Sequence, residues 1–191
     1  MSRIDIMCDL ETLGTKADST IIQIAAIAFD IYGGKELSFF DKTVDLEKCK
    51  KMNIVGSTLK WWVKTDMELL SKLILGGTLS DKELLEEFHK WISDLKGQYD
   101  EVFLWGNGIL FDNKILQYQF ESFGLKYPIF YRNDRDMRTL VELAAIKEGL
   151  KSEVEYREKH KLDYLKKHDA FDDVKQQIHI IMKATEDILT K

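Results

Sequence analysis

The sequence predicts an α/β fold: a mixed five-stranded sheet whose first three strands are antiparallel, with helices on both faces. Three observations carry that expectation. The opening 44 residues hold three strand-like apolar runs joined by turn residues. Beyond Leu46 the apolar residues recur at helical spacing. Two later strand-like runs, Glu101 to Trp105 and Ile129 to Tyr131, alternate with helical stretches, the pattern of α/β crossovers.

Each element has a local reason. Ile4-Asp5-Ile6-Met7-Cys8 is an apolar run that reads as a buried strand. A polar loop with turn residues follows Thr12, and Ile21 to Ile31, rich in β-branched and small residues, reads as a central strand. Gly33-Gly34 is a hairpin turn into a third strand, Glu36 to Val44. Ser57 to Val63 is a short capped helix, and Met67 to Leu75 a second. Ser80 opens an amphipathic helix with Leu84, Leu85, Phe88, Trp91, Ile92 and Leu95 at helical spacing, and Ser80 with Glu83 forms a capping box. Gly97 ends it. After the strand Glu101 to Trp105, Gly106-Asn107-Gly108 turns the chain into a helix from Phe111 to Phe123. Arg135 to Lys147 is a further helix. Residues 149–167, with Lys159, Lys161, Lys166 and Lys167, are charged and weakly periodic, so an exposed, mobile segment is expected. Asp169 to Leu189 is the last helix, with Phe171, Val174, Ile178, Ile181 and Met182 inward.

Composition narrows the function. Residues 1–191 read as a single domain with an ordinary globular balance, 45% hydrophobic and 32% charged. Cys8 and Cys49 make no disulfide framework, and no Cys/His spacing suits zinc. No run of 18 apolar residues could span a membrane, and the N-terminus runs directly into a strand with no signal peptide, so a cytoplasmic location is expected. The net charge of −5 argues against a broad basic surface gripping nucleic acid, but not against a local site where metals meet phosphate.

The chemistry gathers around Asp9-Leu10-Glu11-Thr12. Side chains two apart on a strand share a face, which puts the Asp9 and Glu11 Cα atoms about 7 Å apart. Two carboxylates so placed repel unless a cation sits between them, and hard divalent ions such as Mg²⁺ or Mn²⁺ prefer oxygen ligands. A solvated acid pair is the plain alternative. Asp112 stands in the first turn of a helix, where the helix dipole alone would favour it. His168-Asp169-Ala170-Phe171-Asp172-Asp173 offers three acids that capping could explain, and His168 and Asp173 are five apart, about 140° around a helix. A His168 lying just outside the cap would be free of that phase and able to reach a site to which Asp173 contributes.

Asp9-x-Glu11, Asp112 after a strand and turn, and His168-x₄-Asp173 together resemble the three motifs of the DEDDh family of 3′–5′ exonucleases, which has a ribonuclease H-like fold. The likeness is closer to the phage exonuclease A and mycobacterial-type exoribonuclease subfamily. It rests on Asp-Leu-Glu-Thr-Leu-Gly-Thr, Ser-Thr-Leu-Lys-Trp-Trp, Trp-Gly-Asn-Gly-x-x-Phe-Asp-Asn-x-Ile-Leu and Asn-Asp-Arg-Asp-Met-Arg-Thr-Leu, in order across residues 4–185. The resemblance implies a two-metal site using Mg²⁺ or Mn²⁺. Asp9, Glu11, Asp112 and Asp173 would be ligands, and His168 the general base, since imidazole titrates close to working pH. Thr12 and Leu13 would seat the terminal nucleotide. Trp62, Asn107 and Phe111 are further candidates, because an exposed aromatic can stack on a base. Trp61 is assigned to the core, while Arg138 and Arg135 could meet phosphate or simply pair on a helix.

The implied activity is release of nucleoside 5′-monophosphates from single-stranded 3′ ends, leaning to DNA as in the phage-type enzymes. Such an enzyme would work in the host cytoplasm if phage-encoded. The alternatives are an exoribonuclease using the same site and a catalytically silent module that holds strand ends. A homodimer is one way an acidic domain could extend its binding surface.

Overall fold

The computed structural model describes residues 2–166 and 168–190. Five strands, β1 (Arg3–Thr12), β2 (Ile21–Phe29), β3 (Glu36–Thr43), β4 (Glu101–Gly106) and β5 (Asp134–Asp136), form one sheet in the order β3-β2-β1-β4-β5. β1, β2 and β3 pair antiparallel, whereas β4 and β5 join in parallel beyond β1. The helices are α1 (Gly56–Thr65), α2 (Met67–Gly76), α3 (Asp81–Lys96), α4 (Asp112–Ser122), α5 (Met137–Glu148), α6 (Glu153–His160) and α7 (Ala170–Leu189). This is the mixed sheet the sequence predicts.

β1 is central and buried on both faces, and its alternation sorts the two core layers. Ile4, Ile6, Cys8 and Leu10 pack toward a cluster that includes Trp62, Leu69, Leu84, Phe88, Ile115 and Phe120 from α1–α4. Met7 instead packs with Trp105, Val141, Tyr156, Val174 and Ile181, from β4 and α5–α7. Residues at odd positions of β1, Asp9 and Glu11 among them, therefore share the face covered by α7. Ser80 caps α3 through the reciprocal bonds expected with Glu83.

Three expectations are corrected. The edge strand is Asp134–Asp136, pairing with Leu104 to Gly106, and Tyr131–Asn133 form a 3-10 turn. Asp-Arg-Asp carries no apolar alternation. Its acids are instead spent locally: Asp134 Oδ1 accepts from Asn113 Nδ2 (2.7 Å) and Tyr127 Oη (3.0 Å), and Asp136 caps α5. That cap starts α5 at Met137 rather than Arg135.

The segment expected to be mobile contains α6, capped by Ser152. Its one inward aromatic, Tyr156, is fully buried and donates to Asp187 Oδ2 at 2.6 Å. Lys159 pairs with Glu148 at 2.6 Å, so α6 is pinned to α5 and α7 by one ring and a few polar bonds that no hydropathy period registers. Lys167 of that segment lies outside the described residues.

The third correction concerns Leu13. It is 1% exposed within the core cluster and does not face the cleft described below. Backbone bonds from Leu13 N–H to Thr20 O and from Val55 N–H to Leu13 O hold this stretch flat against its neighbours. Among the described residues no helix is long and apolar enough to cross a membrane.

Candidate active site

β1 and β4 run parallel with Met7 opposite Trp105, so their C-terminal ends open at the same edge of the sheet. That edge is where open α/β sheets commonly place ligands. The β1–β2 register shifts between Glu11 and Thr12, a bulge that re-aims the end of the strand. The first turn of α7 brings Asp173 against the same face, and carboxylate oxygens of Asp9, Glu11 and Asp173 lie within 4.8 Å of one another.

Asp112 arrives from the β4 turn as the first residue of α4 and is only 3% exposed. The turn needs its glycines. A Cβ on Gly106 would lie 2.3 Å from Asn113 Oδ1, and Gly108 has φ +119° with the Arg138 guanidinium packed over it. Asp9, Glu11, Asp112, Asp173 and His168 all line one cleft of about 700 Å³.

Burial, with neighbouring acids for Asp9, Glu11 and Asp173, raises the proton affinity of these carboxylates. Burial, then Asp112, pushes Asp9 well above the carboxylate range, with a hydrogen bond from Gln177 pulling the other way. Burial, then Asp9 and Asp173, takes Glu11 up to about 10. Asp112 is pushed up to about 7 by burial, held back by the backbone N–H groups of Leu10, its own residue and Asn107, and by Arg138. Burial also raises Asp173, against the His168 N–H. Buried carboxylates this close are poorly matched to an empty cleft and well matched to hard divalent cations. The oxygen-only donor set fits Mg²⁺ or Mn²⁺, with Asp9, Glu11 and Asp173 as the compact triad and Asp112 flanking it.

His168 precedes the Asp169 N-cap of α7. It takes a left-handed conformation, φ 65°, uncommon for a residue with a side chain. Its N–H donates to Asp173 Oδ2 at 3.1 Å, and its ring stands edge-on to Trp61 at 5.0 Å. Lying outside the helix, it escapes the helical phase that would have parted it from Asp173.

Of the adjacent tryptophans, Trp61 is the exposed one, against the expectation that it packs in the core. Trp62 borders the cleft but is 1% exposed, its Nε1 donating to Thr12 O at 3.0 Å, so most of its ring is core. Trp61 is 42% exposed and lines the cleft. Thr12 lines it too, with its hydroxyl donating to Gly14 O at 2.6 Å. Asn107, Phe111 and Arg138 also lie on its wall. Asn107 Oδ1 accepts from Arg157 Nη2 at 2.9 Å, a tie from α6 to the β4 turn. Arg135 is elsewhere, stacked over Phe103 and bonded to the backbone at Arg132 and Asp134. Sequence reasoning missed Gln177, whose Nε2 donates to Asp9 Oδ1 at 2.7 Å. The available signal was its position four residues after Asp173, polar on an otherwise apolar helix face.

Several solved structures share this architecture. Cell-death related nuclease 4 (CRN-4) matches at TM-score 0.73 and 18% identity over 96% of this chain, which spans 64% of that protein. The nuclease domain of 3′hExo, a DEDDh family member solved bound to rAMP, matches at TM-score 0.65 and 16% identity, covering 97% of this chain and 93% of that one. The zinc-bound E. coli ExoI–ssDNA complex matches at TM-score 0.71 and 16% identity, covering 99% of this chain and 41% of that one. At these identities the likeness shows a shared fold. No curated protein sequence matches the chain. The profile of the Rv2179c-like 3′-5′ exoribonuclease domain matches residues 4–185, nearly the whole sequence, and the chain belongs to that family.

Proposed function

We propose that this protein is a metal-dependent 3′–5′ exonuclease that hydrolyses single-stranded nucleic acid from a free 3′ end and releases nucleoside 5′-monophosphates. The observation that carries the reading is the triad of Asp9, Glu11 and Asp173 oxygens within 4.8 Å, in one cleft with Asp112 and His168. Asp9, Glu11, Asp112 and Asp173 would hold Mg²⁺ or Mn²⁺. A divalent pair supplies neutralisation of the phosphate charge and stabilisation of the leaving 3′-oxygen. His168 accepts the proton of the attacking water at a ring nitrogen, with its backbone fixed by Asp173. Trp61 offers an exposed ring to a base, and Arg138 brings a cation to the cleft on the Asp112 side.

RNA is the first substrate reading, supported by the description of the family. DNA is the second, favoured by the likeness to an exonuclease I solved with single-stranded DNA and by the phage-type motifs quoted above. The test is degradation of a 3′-labelled oligonucleotide by wild type, Asp9→Ala and Asp173→Ala, as matched RNA and DNA. Both variants should be inactive with the fold intact by circular dichroism. Wild-type rates in both would overturn the assignment.

A further inference from the structure

We infer that Gln177 is a positioning residue that fixes the Asp9 carboxylate for metal capture. The inference rests on reading the acid cluster as a metal site. Gln177 Nε2 donates to Asp9 Oδ1 at 2.7 Å across 168 residues of sequence. The side chain is 5% exposed, on the inner face of α7 between Val174 and Ile181. The amide has only one workable orientation there. Turned over, its oxygen would face an oxygen of the ionised, metal-binding Asp9, two acceptors with no proton between them. In the orientation present, Gln177 Oε1 is buried with no hydrogen-bond partner. The helix therefore keeps an amide that is only half satisfied in its core, where an apolar side chain would pack without that penalty. The bond to Asp9 is what the amide provides in return.

The other acids are steadied differently. Asp112 draws on the backbone N–H groups of Leu10 and Asn107, and Asp173 on the N–H of His168. Asp9 lies in β1 beyond the last β4 pair, where nearby backbone donors go to the β2 ladder or, at Leu10, to Asp112. It needs a side-chain donor, and a neutral one is suited to the task. A lysine or arginine at this position would supply the charge that a cation is meant to supply, and so compete with it. An amide holds one oxygen and leaves the carboxylate's full charge, with its second oxygen unoccupied by that bond. α7 thus contributes a ligand and an anchor one turn apart, Asp173 and Gln177, on the same helix face. Gln177 also lines, with His168 and Asp173, a second cavity of about 310 Å³.

The experiment is direct Mn²⁺ binding, followed by electron paramagnetic resonance and calorimetry, on wild type, Gln177→Met, Asp9→Asn and the double variant. Methionine keeps the volume and removes the donor. Gln177→Met should weaken Mn²⁺ binding by about 10- to 100-fold, the usual effect of losing an outer partner of a ligand. It should raise the Mn²⁺ concentration needed for half-maximal hydrolysis by the same factor and leave KM for the oligonucleotide unchanged. In the Asp9→Asn background the second substitution should add nothing. Wild-type Mn²⁺ affinity in Gln177→Met would overturn the inference. Unchanged affinity in Asp9→Asn would instead overturn the metal-site reading, and this inference with it, through a different variant. Should Gln177→Met not reach the wild-type melting temperature, Gln177→Leu carries the same comparison.

Discussion

His168 and Asp173 are joined by a backbone bond, the His168 N–H donating to Asp173 Oδ2 at 3.1 Å, with His168 in a left-handed conformation just ahead of α7. One carboxylate therefore belongs to the acid cluster and also holds His168, the proposed base, in place. His168→Asn should lower kcat by about 10²- to 10⁴-fold, the scale of general base catalysis, with Mn²⁺ affinity near wild type. Asp173→Ala should lower it further and abolish tight Mn²⁺ binding. Rapid-quench hydrolysis alongside calorimetry separates the two effects, and equal Mn²⁺ loss in both variants would contradict the division of roles.

The acids also set a pH dependence of stability. Asp9, Glu11, Asp112 and Asp173 each bind a proton more tightly in the folded chain than when exposed. Folding is therefore favoured while they are protonated. That contribution fades as pH rises above the ordinary carboxylate range, through about 7 for Asp112 and toward about 10 for Glu11. Asp66, Glu83 and Asp100 are shifted down, so their contributions are lost only as pH falls below the ordinary carboxylate range, outside this window. Metal-free protein should melt lower at about pH 8 than at about pH 5.5, and Glu11→Gln should flatten the difference. Mg²⁺ should stabilise most at the higher pH, by about 2.7 kcal/mol at a hundredfold excess over Kd. A metal-free melting temperature that rises across this window would contradict the assignment.

Trp61 and Trp62 should respond in opposite ways. Trp62→Ala removes a buried ring and its bond to Thr12 O, and should cost about 3–5 kcal/mol in denaturant unfolding. Trp61→Ala should leave stability nearly unchanged and weaken single-strand binding by about 1–3 kcal/mol, the scale of one base stack. Fluorescence anisotropy with a short labelled oligonucleotide reads the second effect. Unchanged binding in Trp61→Ala would remove its role at the cleft.

Tyr156 should govern whether α6 stays docked. Tyr156→Ala should cost about 3–5 kcal/mol, as for other large buried aromatics, and open residues 149–166 to proteolysis. Tyr156→Phe, losing only the bond to Asp187, should cost about 0.5–1.5 kcal/mol. Limited proteolysis at native temperature distinguishes them, and equal resistance of wild type and Tyr156→Ala would show that α6 is held by other means.

Much of this architecture was legible because periodicity reports burial. β1, β2 and β4 are continuous apolar runs buried on both faces, and α3 and α7 carry the 3.6 period of one buried face. β5 has no such pattern, since three polar residues pair with Leu104 to Gly106 and spend their side chains on caps and loop bonds. α6 hides because one tyrosine and several ion pairs do the docking. The tryptophan pair defeated phase reasoning for a simple cause: neighbours on a short helix differ by 100°, and the sequence offers few apolar residues to fix which direction is inward. The acids that line the cleft could be listed from motif and spacing, but the bond from Gln177 could not. It depends on α7 crossing β1 at the height of Asp9, which is a property of the packed helix and not of either segment alone.

The most direct test uses single-stranded RNA and DNA of one sequence, 5′-labelled, with free or blocked 3′ ends, incubated with Mg²⁺ or Mn²⁺. A ladder shortening one nucleotide at a time from free 3′ ends, with blocked strands intact and nucleoside 5′-monophosphate as product, is the predicted result. Blocked strands cut as fast as free ones, or first products from internal cleavage, would contradict a 3′–5′ exonuclease.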